Sequence, residues 1–234
     1  RAAAVSGVVR AGSATFTYSS DMPLVLGQIV GIEVGKKALT GVVVRQVKKP
    51  AYDTKAITSI IEQTALPEAL VKLSEWMSDY YAAPLATVLQ TVLPRGIQKS
   101  RREQKSIERT QLRDRTTIVF TEEQRMAIDT IEQMTPGSAL LHGVTGSGKT
   151  QVYLELAKRT LDRGQSVIIL VPEIALTSQL VDEFSHHFDN ILLTHSRQTE
   201  AQRHITWKDA LTSTSPRVAI GPRSALFTPL HNVG

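Results

Sequence analysis

The spacing of apolar and polar positions changes character twice along the chain. Residues 5–9, 15–18, 28–34 and 41–47 are short runs, several of them β-branched, with Gly27, Gly31 and Gly35 between or within them. Such runs predict strands, and the glycines predict tight turns or a bulge. This first part therefore reads as a small barrel or sandwich. From Pro67 the period lengthens: Leu70, Leu73, Trp76, Met77 and Tyr80 recur at helical spacing, which predicts a helix over 67–81. Pro67 suits the first turn of that helix, and Pro84 ends it. A second short helix is expected over 85–93. Trp76 and Tyr80 are read as core residues rather than as a surface on which bases stack.

Residues 95–118 are polar and charged, too few for a globular domain, and read as a linker or an exposed helix. After them the rhythm is β-α. Apolar runs at 139–141, 167–171, 191–193 and 218–220 alternate with helical patterns at 150–161, 174–188 and 199–211. Alternation of this kind predicts a parallel sheet covered by helices. The expected organisation is multidomain. A small β-rich domain with a helix or two spans 1–94, a linker spans 95–118, and an incomplete α/β parallel-sheet lobe spans 119–234.

Composition narrows the class. The chain has 234 residues, 41% of them hydrophobic, which suits a globular protein with a core. No apolar run approaches the roughly 18–20 residues that span a bilayer, and the N-terminus shows no signal pattern. There are no cysteines, hence no disulfides and no thiolate zinc site in these residues. A cytoplasmic location is the simplest reading. The chain lacks an initiator Met and reads as the front part of a longer protein. Residues 95–115 hold eight Lys/Arg against three Asp/Glu, so this stretch carries the whole formal excess of +5. It is either a solvated linker or a strip that meets nucleic-acid phosphates.

The chemistry is concentrated in Gly143, Val144, Thr145, Gly146, Ser147, Gly148, Lys149 and Thr150. They fit the phosphate-loop pattern G-x-x-x-x-G-K-[ST], with an expected strand before and a helix after. The glycines let the backbone turn its N–H groups toward phosphate oxygens. The helix N-terminus adds its dipole. Lys149 is expected at the β and γ phosphates of ATP, and the Thr150 hydroxyl on Mg²⁺; these two are the candidate catalytic residues. No acidic residue follows a later strand in the way hydrolysis requires. These residues alone are therefore expected to bind nucleotide weakly and hydrolyse little.

A resemblance becomes specific here. G-V-T-G-S-G-K-T-Q-V-Y-L from Gly143, V-P-E-I-A-L-T from Val171, His195-Ser196, and G-P-R-S-A-L-F-T-P from Gly221 follow in order. Together they resemble the primosomal protein N′ (PriA) family of superfamily 2 replication-restart helicases. That resemblance implies a RecA-like first helicase lobe. It implies that Gln124 reads adenine, and that Pro172, Glu173, Gly221, Arg223 and Ser224 face single-stranded DNA. Arg223 and Ser224 would meet backbone phosphates, whereas the acidic Glu173 has helix capping as a competing role. Pro222 stands where most of the family has Thr. The first domain is similar to the family's 3′-end-binding domain, with Phe16, Thr17, Gly35 and Lys55 at the pocket for a terminal base and free 3′-hydroxyl. Thr17 stands where the family has Asp, which weakens the expected selectivity for that hydroxyl.

The resemblance further implies ATP-dependent 3′→5′ unwinding at stalled or branched forks and replisome reloading. The implied partners are forked and single-stranded DNA, primosome proteins and single-stranded DNA-binding protein, with the protein a monomer. Zinc is expected only in a part of the family absent from these residues. The family's winged-helix domain has no counterpart between the two parts. The competing reading is a binding module that recognises branched DNA without unwinding it. An RNA helicase or restriction-type translocase is a third reading, against which the first domain argues.

Overall fold

The computed structural model describes residues 2–7, 15–48, 50–97, 119–134, 137–172, 178–189 and 191–234. The basic stretch at 98–118 and Glu173 lie outside the described residues. The chain forms two compact units. Among the described residues no helix is long and apolar enough to cross a membrane.

The first unit is built on a five-stranded antiparallel sheet. Its strands are β1 (Ala2–Gly7), β2 (Phe16–Ser19), β3 (Ile29–Val34), β4 (Lys37–Gln46) and β5 (Ser59–Glu62), in the order β2-β1-β4-β3-β5. β3 and β4 form a hairpin in which Val34 faces Lys37 across the two-residue loop Gly35-Lys36. Gly35 has φ +63°, the left-handed value expected at the first loop position of a type II′ turn. The predicted strands therefore form. β5 is an addition, held to β3 in part by the buried Gln28, whose side-chain amide donates to the carbonyl of Glu62 at 2.6 Å.

The sheet buries both faces of its centre. One cluster holds Tyr18, Leu24, Val30, Ile32 and Val43. The other brings Ile29, Val42 and Val44 against α1 (Glu68–Tyr80) and α2 (Leu85–Val92) through Leu70, Val71, Leu89 and Val92. This alternation between two apolar faces explains the near-continuous hydrophobic runs of β3 and β4. α6 (Glu200–Thr212) belongs to this unit as well. Its Trp207 and Leu211 join the second cluster, and the Trp207 indole N–H donates to the buried carbonyl of Val92 at 2.8 Å.

One expectation about α1 is corrected. Leu70, Val71 and Ser74 form its buried face, while Trp76 is 54% exposed and Tyr80 68% exposed. Their rings stack at 4.9 Å between centroids, and Tyr81 meets Tyr80 edge-on. Of the predicted helical stripe, Leu70 and Leu73 do face the core, whereas Trp76 and Tyr80 turn to the exposed side.

The second unit holds α3 (Glu122–Gln133), α4 (Lys149–Asp162), α5 (Ser178–His187) and the parallel strands β6 (Val167–Leu170), β7 (Ile191–Leu193) and β8 (Val218–Gly221). The sheet order is β6-β8-β7, with β8 buried throughout. Leu154 and Ala157 of α4 and Phe184 of α5 pack with Val218 and Ile220. The parallel sheet and its helices match the β-α rhythm of the sequence. The run at 139–141 departs from expectation: it is not a strand, and Leu140 is 90% exposed. A strand requires a partner to share its ladder, and this run pairs with none of the described strands.

Candidate functional site

The phosphate loop is shaped by its own backbone. The Ser147 N–H donates to the carbonyl of Val144 at 3.2 Å, closing a turn around Gly146. Gly148, with φ +77°, is the N-cap of α4. A left-handed N-cap next to a required helix start is a position for glycine. A Cβ there would also lie 2.3 Å from Nε2 of Gln124, the flexible end of a side chain that would have to move off the loop. Residues 143–147 are exposed and Lys149 and Thr150 partly so, leaving the loop open to a phosphate chain.

Lys149 closes the loop on itself. Its ammonium donates to the carbonyls of Gly143 and Val144, each at 2.7 Å. The lysine therefore sits on the concave side of the loop with its charge held by carbonyl dipoles. A phosphate oxygen entering there would replace neutral acceptors with a charged one, and charge-assisted bonds are the stronger kind.

Gln124 stands beside this loop for a sequence-encoded reason. Thr121 caps α3 and Gln124 closes the capping box, its Oε1 accepting from the Thr121 N–H at 3.0 Å. Its Nε2 donates to the carbonyl of Ser147 at 3.1 Å. A carboxamide has two donor hydrogens and two acceptor lone pairs. One of each is used here, and one of each remains, the complement of the donor and acceptor along one edge of adenine. The Glu123 carboxyl is held below its ordinary value by its own backbone N–H and by the Thr121 hydroxyl, as befits a helix N-terminus.

A second group of predicted residues gathers at the C-terminal ends of β6 and β8. Leu170 and Gly221 are paired in register, and the Val171 N–H donates to the Gly221 carbonyl at 2.9 Å. Pro172 follows directly and is exposed. A Cβ on Gly221 would meet the Thr194 carbonyl oxygen at 2.6 Å, so the glycine lets β8 pass close to the end of β7. Arg223 and Ser224, both exposed, open a short 3-10 helix, Arg223–Phe227. Ligands of open parallel sheets sit off these strand ends.

In the first unit the structure joins two of the four predicted residues directly. The Lys55 ammonium donates to the Gly35 carbonyl at 3.1 Å and lies 3.9 Å from the Glu33 carboxylate, both side chains about half exposed. β2 is drawn to the same place, because the Ser19 N–H donates to the Lys55 carbonyl and the Tyr18 hydroxyl donates to that of Glu33. Burial and the nearby Glu33 charge raise the Tyr18 pKa, so the phenol stays protonated as that donor. Phe16 and Thr17 divide. Alternation along β2 puts Phe16, partly exposed, on the face of the buried Tyr18, and Thr17 on the other. Glu33 and Tyr18 were missed from sequence. Their only signal was their place beside the turn and inside the aromatic string.

The class of the two parts comes from the families they match, a DNA-binding domain followed by a helicase-like region. The family described as 3'DNA-binding domain (3'BD) matches residues 8–94, and that described as Type III restriction enzyme, res subunit, matches residues 117–230. Replication restart protein PriA of Rickettsia prowazekii is 32% identical over 225 residues, covering 94% of this chain and 34% of its own length. That of Treponema pallidum is 34% identical over 238 residues, covering 94% of this chain and 35% of its own. That of Synechocystis is 50% identical over 96 residues, 41% of this chain and 11% of its own. The chain belongs to the PriA family of replication restart proteins. It spans about a third of the length of the first two relatives.

Proposed function

We propose that this chain is the nucleotide- and DNA-engaging part of an ATP-dependent 3′→5′ DNA helicase that recognises stalled or branched forks and promotes replisome reloading. The observation that carries the reading is the latch between Gln124 and the phosphate loop, in a chain whose first unit also gathers Gly35 and Lys55 at one turn. Gln124 reads the adenine edge with its remaining donor and acceptor. Lys149 exchanges the carbonyls of Gly143 and Val144 for phosphate oxygens. The backbone amides at the start of α4 and the Thr150 hydroxyl complete the cradle, with magnesium entering on the nucleotide. The second unit is a RecA-like lobe in this reading.

Pro172, Gly221, Arg223 and Ser224 take the DNA backbone at the sheet's carboxyl edge, and Glu173 belongs to the same track. Phe16 supplies a stacking face for a terminal base, Gly35 the close approach, and Lys55 a phosphate contact. Thr17, on the opposite face of β2, contributes least to the end pocket. Primosome proteins and single-stranded DNA-binding protein are the expected partners, in the cytoplasm.

The test is fluorescence anisotropy of the chain with two forks, one ending its nascent strand in a 3′-hydroxyl and the other in a 3′-phosphate. Tighter binding to the hydroxyl fork, lost on Lys55→Ala, supports the fork-recognition role. Equal binding of both forks, unchanged by Lys55→Ala, refutes the end pocket.

A further inference from the structure

α3 carries the base-reading residue of the proposed nucleotide site, yet it is fastened weakly by apolar contact. Ile128 is its only fully buried side chain among the described residues. Three positions four residues apart share one face of the helix: Gln124, Ile128 and Glu132. The N-terminal end is tied to the phosphate loop through Gln124 and Ser147. The middle is Ile128. The C-terminal end is tied by charge. The Arg159 guanidinium of α4 binds the Glu132 carboxylate, donates to Glu155 at 2.8 Å and lies 3.6 Å from Asp129. Arg163 donates to the other oxygen of Glu132 at 3.0 Å. Glu132 is thus bridged by two guanidinium groups, and its carboxyl is held below its ordinary value by them.

α4 begins at Lys149 and carries Arg159 and Arg163 near its other end. α3 therefore lies along α4 with like ends together, pinned at three levels. Gln124 and Glu132 are each four residues from Ile128, about 6 Å along the axis. A rigid helix pivoting on Ile128 moves both ends equally. A shift of about half an ångström at Glu132 is enough to carry a 3.1 Å bond at Gln124 beyond hydrogen-bonding range.

We propose that Arg159 is a positioning residue for base recognition: by clamping Glu132 it holds α3 at the tilt that presents the Gln124 carboxamide to adenine and to the phosphate loop together. This rests on the reading of residues 143–150 and Gln124 as an ATP site. The guanidinium does not touch nucleotide. Its effect is confined to the base, because Lys149 sits on α4 itself and the loop amides, which hold phosphates, lead directly into it.

The experiment measures binding of ATP and of GTP by displacement of a fluorescent nucleotide, for the wild-type chain, Arg159→Gln and Glu132→Gln, with helical content checked by circular dichroism. The expected result is about tenfold weaker ATP binding in either variant with GTP binding unchanged. A second readout separates positioning from general destabilisation. Rising salt should erode the ATP preference of the wild type and leave that of Arg159→Gln flat. A wild-type preference that survives intact in both variants overturns this inference and leaves the nucleotide site standing. Equal loss of ATP and GTP binding in folded variants overturns it as well. A wild type that binds ATP and GTP alike overturns the base-reading role of Gln124 and this inference with it.

Discussion

Gly27→Ala places a methyl carbon 2.3 Å from the carbonyl oxygen of Leu66 and 3.0 Å from its nitrogen. The obstacle is backbone, so no side chain can swing aside. Leu66 cannot retreat either, because its N–H donates to the Gly27 carbonyl at 3.0 Å and its side chain is in the core. Gly27 has φ +81°, where an L-residue costs roughly 1–2 kcal/mol. Opening the contact also strains the Leu66–Gly27 bond and the bond from the Gly27 N–H to Val43, each worth about 1 kcal/mol. The expected loss is about 3 kcal/mol, a large share of the 5–15 kcal/mol typical of a domain, and a fall in Tm of about 10 °C. Both tryptophans, Trp76 and Trp207, lie in the first unit, so their fluorescence in a thermal or urea transition reports on that unit alone. Gly35→Ala is the matched control. It shares the left-handed backbone at φ +63° but has nothing within 4 Å of the added carbon, so it should cost about 1 kcal/mol. Equal effects of the two substitutions would refute the steric part of the reasoning, and a Gly27→Ala loss below about 1 kcal/mol would refute all of it.

Further outcomes follow from other contacts. Lys149→Ala should weaken ATP and GTP binding equally, by roughly 10- to 100-fold, because a charge-assisted bond worth about 1.5–3 kcal/mol is lost; calorimetric titration reads this directly. Glu33→Gln removes the carboxylate 3.9 Å from Lys55 and should tighten DNA binding about two- to threefold at low salt, an effect that vanishes at high salt. Glu132 has a depressed folded pKa, so its stabilisation is complete above the unfolded value of about 4.3 and is lost as pH falls through the folded value. Amide exchange of α3 should accelerate in that acid window in the wild type and not in Glu132→Gln. Trp207→Phe orphans the buried Val92 carbonyl and should destabilise the first unit by about 1–3 kcal/mol in a urea transition.

The parts of the fold that follow local rules were readable in the chain. The phosphate loop is a contiguous string whose glycines and lysine each answer a backbone or charge requirement, and Gly35 marks its turn by the same logic. α3 was passed over although Thr121 and Gln124 carry the T-x-x-Q spacing of a capping box, because its apolar content is too low to show a period. β5, Ser-Ile-Ile-Glu, is too short to alternate visibly. Trp76 and Tyr80 show the limit of periodicity: four-residue spacing proves that two side chains share a helix face and says nothing of which face the core takes. The run at 139–141 shows the matching limit for strands, whose existence depends on a neighbour that no local pattern specifies.

Placement of α6 lies beyond any local signal, and it fixes when the first unit can finish folding. Trp207 and Leu211, with the half-buried Phe227 beyond them, close a core otherwise drawn from the first hundred or so residues. During synthesis the five strands emerge early, yet the surface around Leu89 and Val92 stays uncovered until residue 211 has cleared the ribosome. At about 5–20 residues per second that is an interval of roughly 5–25 s, during which the first unit is born with an open seam. The phosphate loop and its helix are already outside by then. The first unit, whose strands precede the phosphate loop along the chain, is completed only after that loop.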